Sequence, residues 1–195
     1  QINVVGDVWL NGGTITTTTG TINLDGNWTT SGAGMYSAGA GNVHFNAALG
    51  ATQVVTPGTV AGDGFYNLIH DGAGTVRLSS NQVNIYGDFT NSTGAFDANG
   101  VDMALYGDWD NAATFTHNQN SVFLVGADQG IYGTNTFYNL SKALPTATSR
   151  TLFFENSGAP GNAAIEQYVK NNLTLTGYDA SIYLNLRSDL AGTAA

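Results

Sequence analysis

Met103-Ala104-Leu105-Tyr106-Gly107-Asp108-Trp109 reads apolar, any, apolar, any, Gly, Asp, large apolar residue. The same phrase stands at Val83-Asn84-Ile85-Tyr86-Gly87-Asp88-Phe89, at Ile22-Asn23-Leu24-Asp25-Gly26-Asn27-Trp28 and at Ile2-Asn3-Val4-Val5-Gly6-Asp7-Val8. The copies form two pairs, and the step from Ile2 to Ile22 equals the step from Val83 to Met103. A looser fifth copy, Leu173-Thr174-Leu175-Thr176-Gly177-Tyr178, brings its aromatic one place early, with Asp179 behind it. In extended backbone, alternate side chains point to opposite faces. The first, third and seventh residues of every copy therefore face one interior, which places Trp28 and Trp109 in the core.

A second short run follows each phrase, at Thr14-Ile15-Thr16, Met35-Tyr36, Ala95-Phe96 and Thr114-Phe115. Each unit of roughly twenty residues thus holds two or three short strands between Gly, Asn and Asp turns. Such a unit cannot bury its apolar face alone, but stacked units bury a continuous core. A longer period overlies the short one. Val43-His44-Phe45, Gln53 and Phe65-Tyr66-Asn67-Leu68 follow the second copy, and Val122-Phe123-Leu124, Gln129 and Phe137-Tyr138-Asn139-Leu140 follow the fourth.

The expected fold is all-β: a single-stranded, right-handed parallel β-helix of about nine to ten coils of roughly twenty residues. Residues 1–195 form one domain, with superunits at 2–81 and 83–171 and a third beginning at 173. A loop insertion is expected at 156–168, where the spacing stretches, and Ala163–Lys170 is the one stretch with any helical character. The chain opens with Gln1 and runs out in Gly192-Thr193-Ala194-Ala195, which reads as a piece of a larger protein.

Composition narrows the partners. The 195 residues hold five Lys and Arg against 14 Asp and Glu, a net charge of −9, with 26 Gly and no Cys. Nucleic acid needs clustered cations, and an anionic membrane surface needs the same; neither is an expected partner. No apolar run approaches a membrane span. Thiol chemistry and disulfides are excluded.

The pattern around Gly107-Asp108-Trp109, Phe115, Val122, Gln129, Gly133 and Phe137-Tyr138-Asn139-Leu140 resembles the β-helical repeat regions of very large secreted and surface-anchored bacterial proteins, the adhesin-like group. Leu186-Arg187-Ser188-Asp189-Leu190-Ala191-Gly192-Thr193 also looks like a stretch that leads into a further strand in such proteins. The resemblance covers nearly the whole chain. It implies a structural or adhesive module at the cell surface or outside the cell, acting as a stalk or binding surface. Its expected partners are adjacent domains of the parent chain, end-to-end copies, or glycans. No catalytic motif comes with it, and the chain is read as a non-enzyme.

The alternative is a carbohydrate-binding or carbohydrate-active β-helix. In a stack, Asp88 and Asp108 fall one coil apart, about 5 Å, near the spacing used by retaining glycosidases and compatible with Ca²⁺. The Gly-Asp/Asn corner (Asp7, Asn27, Asp88, Asp108) is explained more simply by Asp and Asn bonding turn backbone, and no catalytic or cofactor-binding residue is assigned. A lyase acting on polyuronates would need cations this chain lacks. His44, His70 and His117 lack zinc-ligand spacing and read as surface or strand-edge residues. The threonines of Thr14–Thr19 do not recur in columns, so strand propensity accounts for them. Outward Tyr66, Tyr86, Tyr106 and Tyr138 are the candidates for contact with a glycan or partner.

Overall fold

The computed structural model describes residues 1–144, 146–156 and 165–188. It is a parallel β-solenoid of about seven windings, all-β and without helix among the described residues. The first winding carries β1 (Ile2–Val4), β2 (Val8–Leu10) and β3 (Thr14–Thr17); the second carries β4 (Thr21–Leu24), β5 (Trp28–Thr30) and β6 (Met35–Ala38). The third holds β7 (Asn42–Phe45) and β8 (Thr52–Thr56), and the fourth β9 (Asn67–His70), β10 (Thr75–Leu78) and β11 (Val83–Ile85). Next come β12 (Phe89–Asn91), β13 (Ala95–Asp97) and β14 (Met103–Leu105), then β15 (Trp109–Asn111), β16 (Thr114–Thr116) and β17 (Ser121–Leu124). The stack closes with β18 (Gln129–Tyr132), β19 (Asn135–Ala143), β20 (Arg150–Phe154), β21 (Gln167–Thr176) and β22 (Leu184–Ser188).

Three parallel faces result. The first is the nine-stranded sheet β1-β4-β7-β9-β12-β15-β18-β20-β22, and the second the six-stranded sheet from β2 to β16. The third begins as β3-β6, passes through the single bridges Ser37–Gly64 and Phe65–Ile85, and continues as β11-β14-β17-β19-β21. Leu24, Ile85 and Leu105 are fully buried in the shared core, as the alternation requires.

The expected count of nine to ten windings was too high because the windings are not uniform. Ile2 pairs with Ile22, Val43 with Leu68, Phe89 with Trp109 and Phe154 with Ser188, so the length of chain spent on one winding varies along the stack and is greatest at its end. Extra residues in the corners consume chain without adding height. Gln167–Lys170, where helical character was expected, are strand. Of the expected loop insertion, Gln167 and Tyr168 are strand, and residues 157–164 lie outside the described residues, as do 189–195.

The second correction concerns the repeat itself. Ile22 starts the phrase on the first face, whereas Met103, its equivalent in the next superunit, starts it on the third. From the first superunit to the second the phrase therefore advances three windings and two faces, and its equivalents reappear rotated by a third of a turn. Leu173, which opens the third superunit, instead lies on the same face as Val83, four windings further on. Asp7 and Asn27 sit at the corner from first to second face, Asp88 and Asp108 at the corner from third to first, so the four form two columns and not one.

Tertiary contacts nevertheless repeat faithfully. Trp28 packs on Tyr36 and Phe65 at ring distances of 5.0 and 5.2 Å, and Trp109 packs on Phe115 and Phe137 at 4.8 and 5.1 Å. Edge-to-face aromatic pairs of this kind add to the burial energy. Gln53 donates its Nε2 to the carbonyls of Leu24 and Gly26, both at 2.7 Å, and Gln129 does the same for Leu105 and Gly107. Each glutamine satisfies two carbonyls that leave the sheet ladder at the Gly corner, groups that would be costly to bury unpaired.

The glycine of the phrase has a steric reason. A Cβ on Gly107 would lie 2.4 Å from the Gly87 carbonyl carbon, and one on Gly26 would lie 2.4 Å from that of Gly6. Gly6 occupies the same place in the first winding, and a Cβ there meets nothing within 4 Å. Gly107→Ala is therefore expected to cost about 1–3 kcal/mol by overpacking. Gly6→Ala should stay within about 0.5 kcal/mol, both read from urea unfolding midpoints; equal losses would refute the close-approach account.

Candidate functional site

The corner from third to first face gathers five of the residues singled out in the sequence. Tyr86-Gly87-Asp88 and Tyr106-Gly107-Asp108 lie one winding apart, and the Tyr86 and Tyr106 rings stand 5.3 Å apart. Tyr66 belongs to the winding before, its ring set against Gly87, where a Cβ would come within 2.9 Å of it. Tyr106 is 45% exposed, while Tyr66 and Tyr86 are half-buried. Tyr138 is elsewhere, beside His117 on the edge between the second and third faces, with ring centroids 5.6 Å apart.

The carboxylates of this corner are tied to backbone. Asp88 Oδ1 accepts the Asp108 N–H at 2.8 Å, and Asp108 Oδ1 accepts the Gly130 N–H at 2.6 Å. Asn67 Oδ1 begins the series by accepting the Asp88 N–H at 2.7 Å. At the other corner Asp7 Oδ1 accepts the Asn27 N–H and Asn27 Oδ1 the Val54 N–H, each at 2.7 Å. One acceptor per winding thus satisfies one donor of the next. Asp and Asn serve alike because only the oxygen is used. The outward carboxyl of Asp110 adds to the acidic strip. Partial burial and then the charges of Glu155, Asp108 and Asp88 push it above the usual carboxylate range. No group of three or more His, Cys, Asp or Glu side chains with metal-site spacing occurs among the described residues.

A second polar feature was invisible in the sequence: a column inside the solenoid at the corner from first to second face. His70, Asn91, Asn111 and Asn135 are all buried there. His70 Nδ1 lies 2.8 Å from Asn91 Oδ1, Asn91 Nδ2 donates to Asn111 Oδ1 at 2.6 Å, and Asn111 Nδ2 donates to Asn135 Oδ1 at 3.0 Å. Trp109 Nε1 also donates to Asn135 Oδ1, at 2.8 Å, and Asn135 Nδ2 reaches Gln167 Oε1 at 2.9 Å. Because the Asn91 amide nitrogen is spent on Asn111 and the Thr114 carbonyl, its oxygen receives the proton of His70 Nδ1. His70 is then neutral, and its Nε2 is buried without a partner. The expectation of a surface histidine fails at this position. Its signal was Leu68-Ile69-His70: two residues beyond an inward leucine, a side chain points inward again.

Lys142 stands at the corresponding place, two residues beyond Leu140, and is also fully buried. Its Nζ donates to the carbonyls of Gly126 and Ala127, each at 2.9 Å, and to Gln129 Oε1. Burial lowers its pKa to about 8, with Asp128 opposing and Arg150 assisting. His44, by contrast, is half-exposed and pairs with Asp71 at 2.8 Å.

No protein-family model matches the chain, and neither a curated protein nor a solved structure matches it.

Two outcomes follow from this geometry. Asp108→Ala removes an acceptor and should cost about 1 kcal/mol, whereas Asp108→Asn keeps it and should stay within about 0.5 kcal/mol; similar losses in thermal melts would refute the corner role. Burial depresses the His70 pKa below its ordinary 6.5, against the Asn91 and Asp71 contributions. The unfolded chain then binds the extra proton, so this residue's share of stability is present above pH 6.5 and declines as pH falls below it. His70→Gln should flatten the unfolding midpoint against pH between roughly 6.5 and 5.

Proposed function

We propose that the chain is a structural and adhesive module of an extracellular bacterial surface protein. It acts as a right-handed rigid stalk with a binding flank, and its ends are covered by adjoining windings of a parent chain or by end-to-end copies. One observation carries the reading: the inward columns are closed along the stack and open at its two ends. Ile2 is 59% and Ile15 46% exposed at one end, and Leu173 is 52% and Leu186 53% exposed at the other, while Val43, Leu68 and Val122 of the same columns are at 0%. Among the described residues, β1, β2 and β3 at one end, and β21 and β22 at the other, each have an unpaired edge, a template for further parallel pairing. Contact of one end with the opposite end of a second copy keeps strand direction and is heterologous, so it propagates lengthwise. The right hand is supported by the strong preference of parallel strand connections for that sense.

A non-catalytic role is supported by the corner carboxylates. Asp88 and Asp108 each commit one oxygen to the next winding, which suits turn closure better than a nucleophile or a Ca²⁺ ligand. The chain is expected to associate lengthwise in light scattering as its concentration rises. Ile15→Lys and Leu173→Lys should each suppress that association while leaving the circular dichroism spectrum intact. A strict monomer across the whole dilution series would sink end-to-end contact.

A further inference from the structure

The outer surface of the third face near β21 differs from the rest of the rod. Adjacent strands β17, β19 and β21 align Ser121 with Asn139 and Asn172, and Phe123 with Ser141 and Thr174. All six are outward positions, forming two rows across three windings. The register shifts between Phe137 and Asn139, so that Tyr138 alone faces Lys170 and Asn171. This bulge bends β21 and brings Asn171 Nδ2 to Asn139 Oδ1 at 2.8 Å. Bulges of this kind re-aim side chains and recur beside binding sites. The result is a shallow hollow with the half-buried Phe123 ring at one end and amides and hydroxyls at the other.

Its chemistry is selective. No charged side chain lines it among the described residues. Asp102, whose Oδ1 accepts the Ser121 N–H at 2.7 Å, sets a negative charge at the rim. Lys170 lines a separate hollow with His117. Asn139 Nδ2 donates to Ser121 Oγ and Asn172 Nδ2 to Thr174 Oγ1, which leaves the Asn172 carbonyl oxygen and the Ser141 hydroxyl open for a ligand. Amides and hydroxyls that each donate and accept suit the vicinal hydroxyls of a sugar, and an aromatic face suits the apolar C–H face of its ring. The absence of cations and the rim carboxylate disfavour uronates, sulfates and phosphates.

From this arrangement we infer that the β17–β19–β21 surface is a binding site for a neutral oligosaccharide, with Phe123 as the stacking platform and Asn139, Asn172 and Ser141 as the hydrogen-bonding groups. The inference goes beyond the stalk reading and does not depend on end-to-end contact.

The test is a titration of the ¹⁵N-labelled chain, followed by NMR, with xylohexaose, cellohexaose, mannohexaose and chitohexaose, and with hexagalacturonate as the charged counterpart. At least one neutral sugar should give saturable shifts centred on the amides of Phe123, Asn139 and Asn172. Phe123→Ala should weaken binding by about tenfold or more, and Asn172→Asp, which retains shape, should weaken it too. Tyr106→Ala should leave it unchanged. Well-dispersed spectra of the variants exclude unfolding as the cause. The proposal is overturned if no neutral sugar binds, if shifts centre on Tyr86 and Tyr106, or if hexagalacturonate binds as well. Loss of this site would leave lengthwise association in light scattering untouched, so the two readings fail separately.

Discussion

The backbone of each winding lies against the backbone of the next, and everything else in the molecule accommodates that contact. At Gly26 and Gly107 no room remains for a single methyl group. Close approach allows the parallel ladders to run through three faces, but at the corners the backbone turns out of the sheet and its donors and acceptors lose their ladder partners. Side chains make up the deficit: Asp7, Asn27, Asn67, Asp88 and Asp108 accept corner N–H groups. Gln53 and Gln129 donate to corner carbonyls from within. Turn chemistry and stacking are thus one constraint, met by the same few residue types wherever the phrase recurs.

The superunit repeats that solution out of phase with the windings. Trp28, Tyr36 and Phe65 recur as Trp109, Phe115 and Phe137, with the same edge-to-face packing but turned by one face. A three-sided core tolerates the rotation because its three walls present equivalent inward columns to the axis. The outer surface is not equivalent, and surface features therefore wind around the rod instead of lining one flank. The tyrosine and aspartate strip follows one corner, and the asparagine and serine hollow lies on the third face.

Burial of ionisable groups follows the same geometry. His70 and Lys142 occupy matching places beyond Leu68 and Leu140, and both are fully buried in a chain with few cations. Their solutions differ. Lys142 reaches three acceptors, among them Gln129 Oε1, while the equivalent oxygen of Gln53 is left unpaired. His70 remains neutral and joins an asparagine column that links windings through amide pairs. A buried charge needs partners on every side; the lysine has them and the histidine does not.

Period-two alternation and recurrence of the Gly-Asp/Asn phrase were enough to establish parallel stacking, the inward place of Leu24, Ile85 and Leu105, and the aromatic core, because these depend on neighbours at a constant chain distance. The winding count was not legible, since corner residues such as those between Val43 and Leu68 lengthen the chain without altering the motif. Nor was the rotation by a third of a turn: the recurrence of Ile22 as Met103 shows what repeats and not which wall it reaches. His70, Asn91, Asn111 and Asn135 carry no local signature, and neither do the rows of Ser121, Asn139 and Asn172. Their meaning lies in registers set between strands a whole winding apart along the chain. Local pattern determined which side chains face inward; only the assembled stack decided which of them meet.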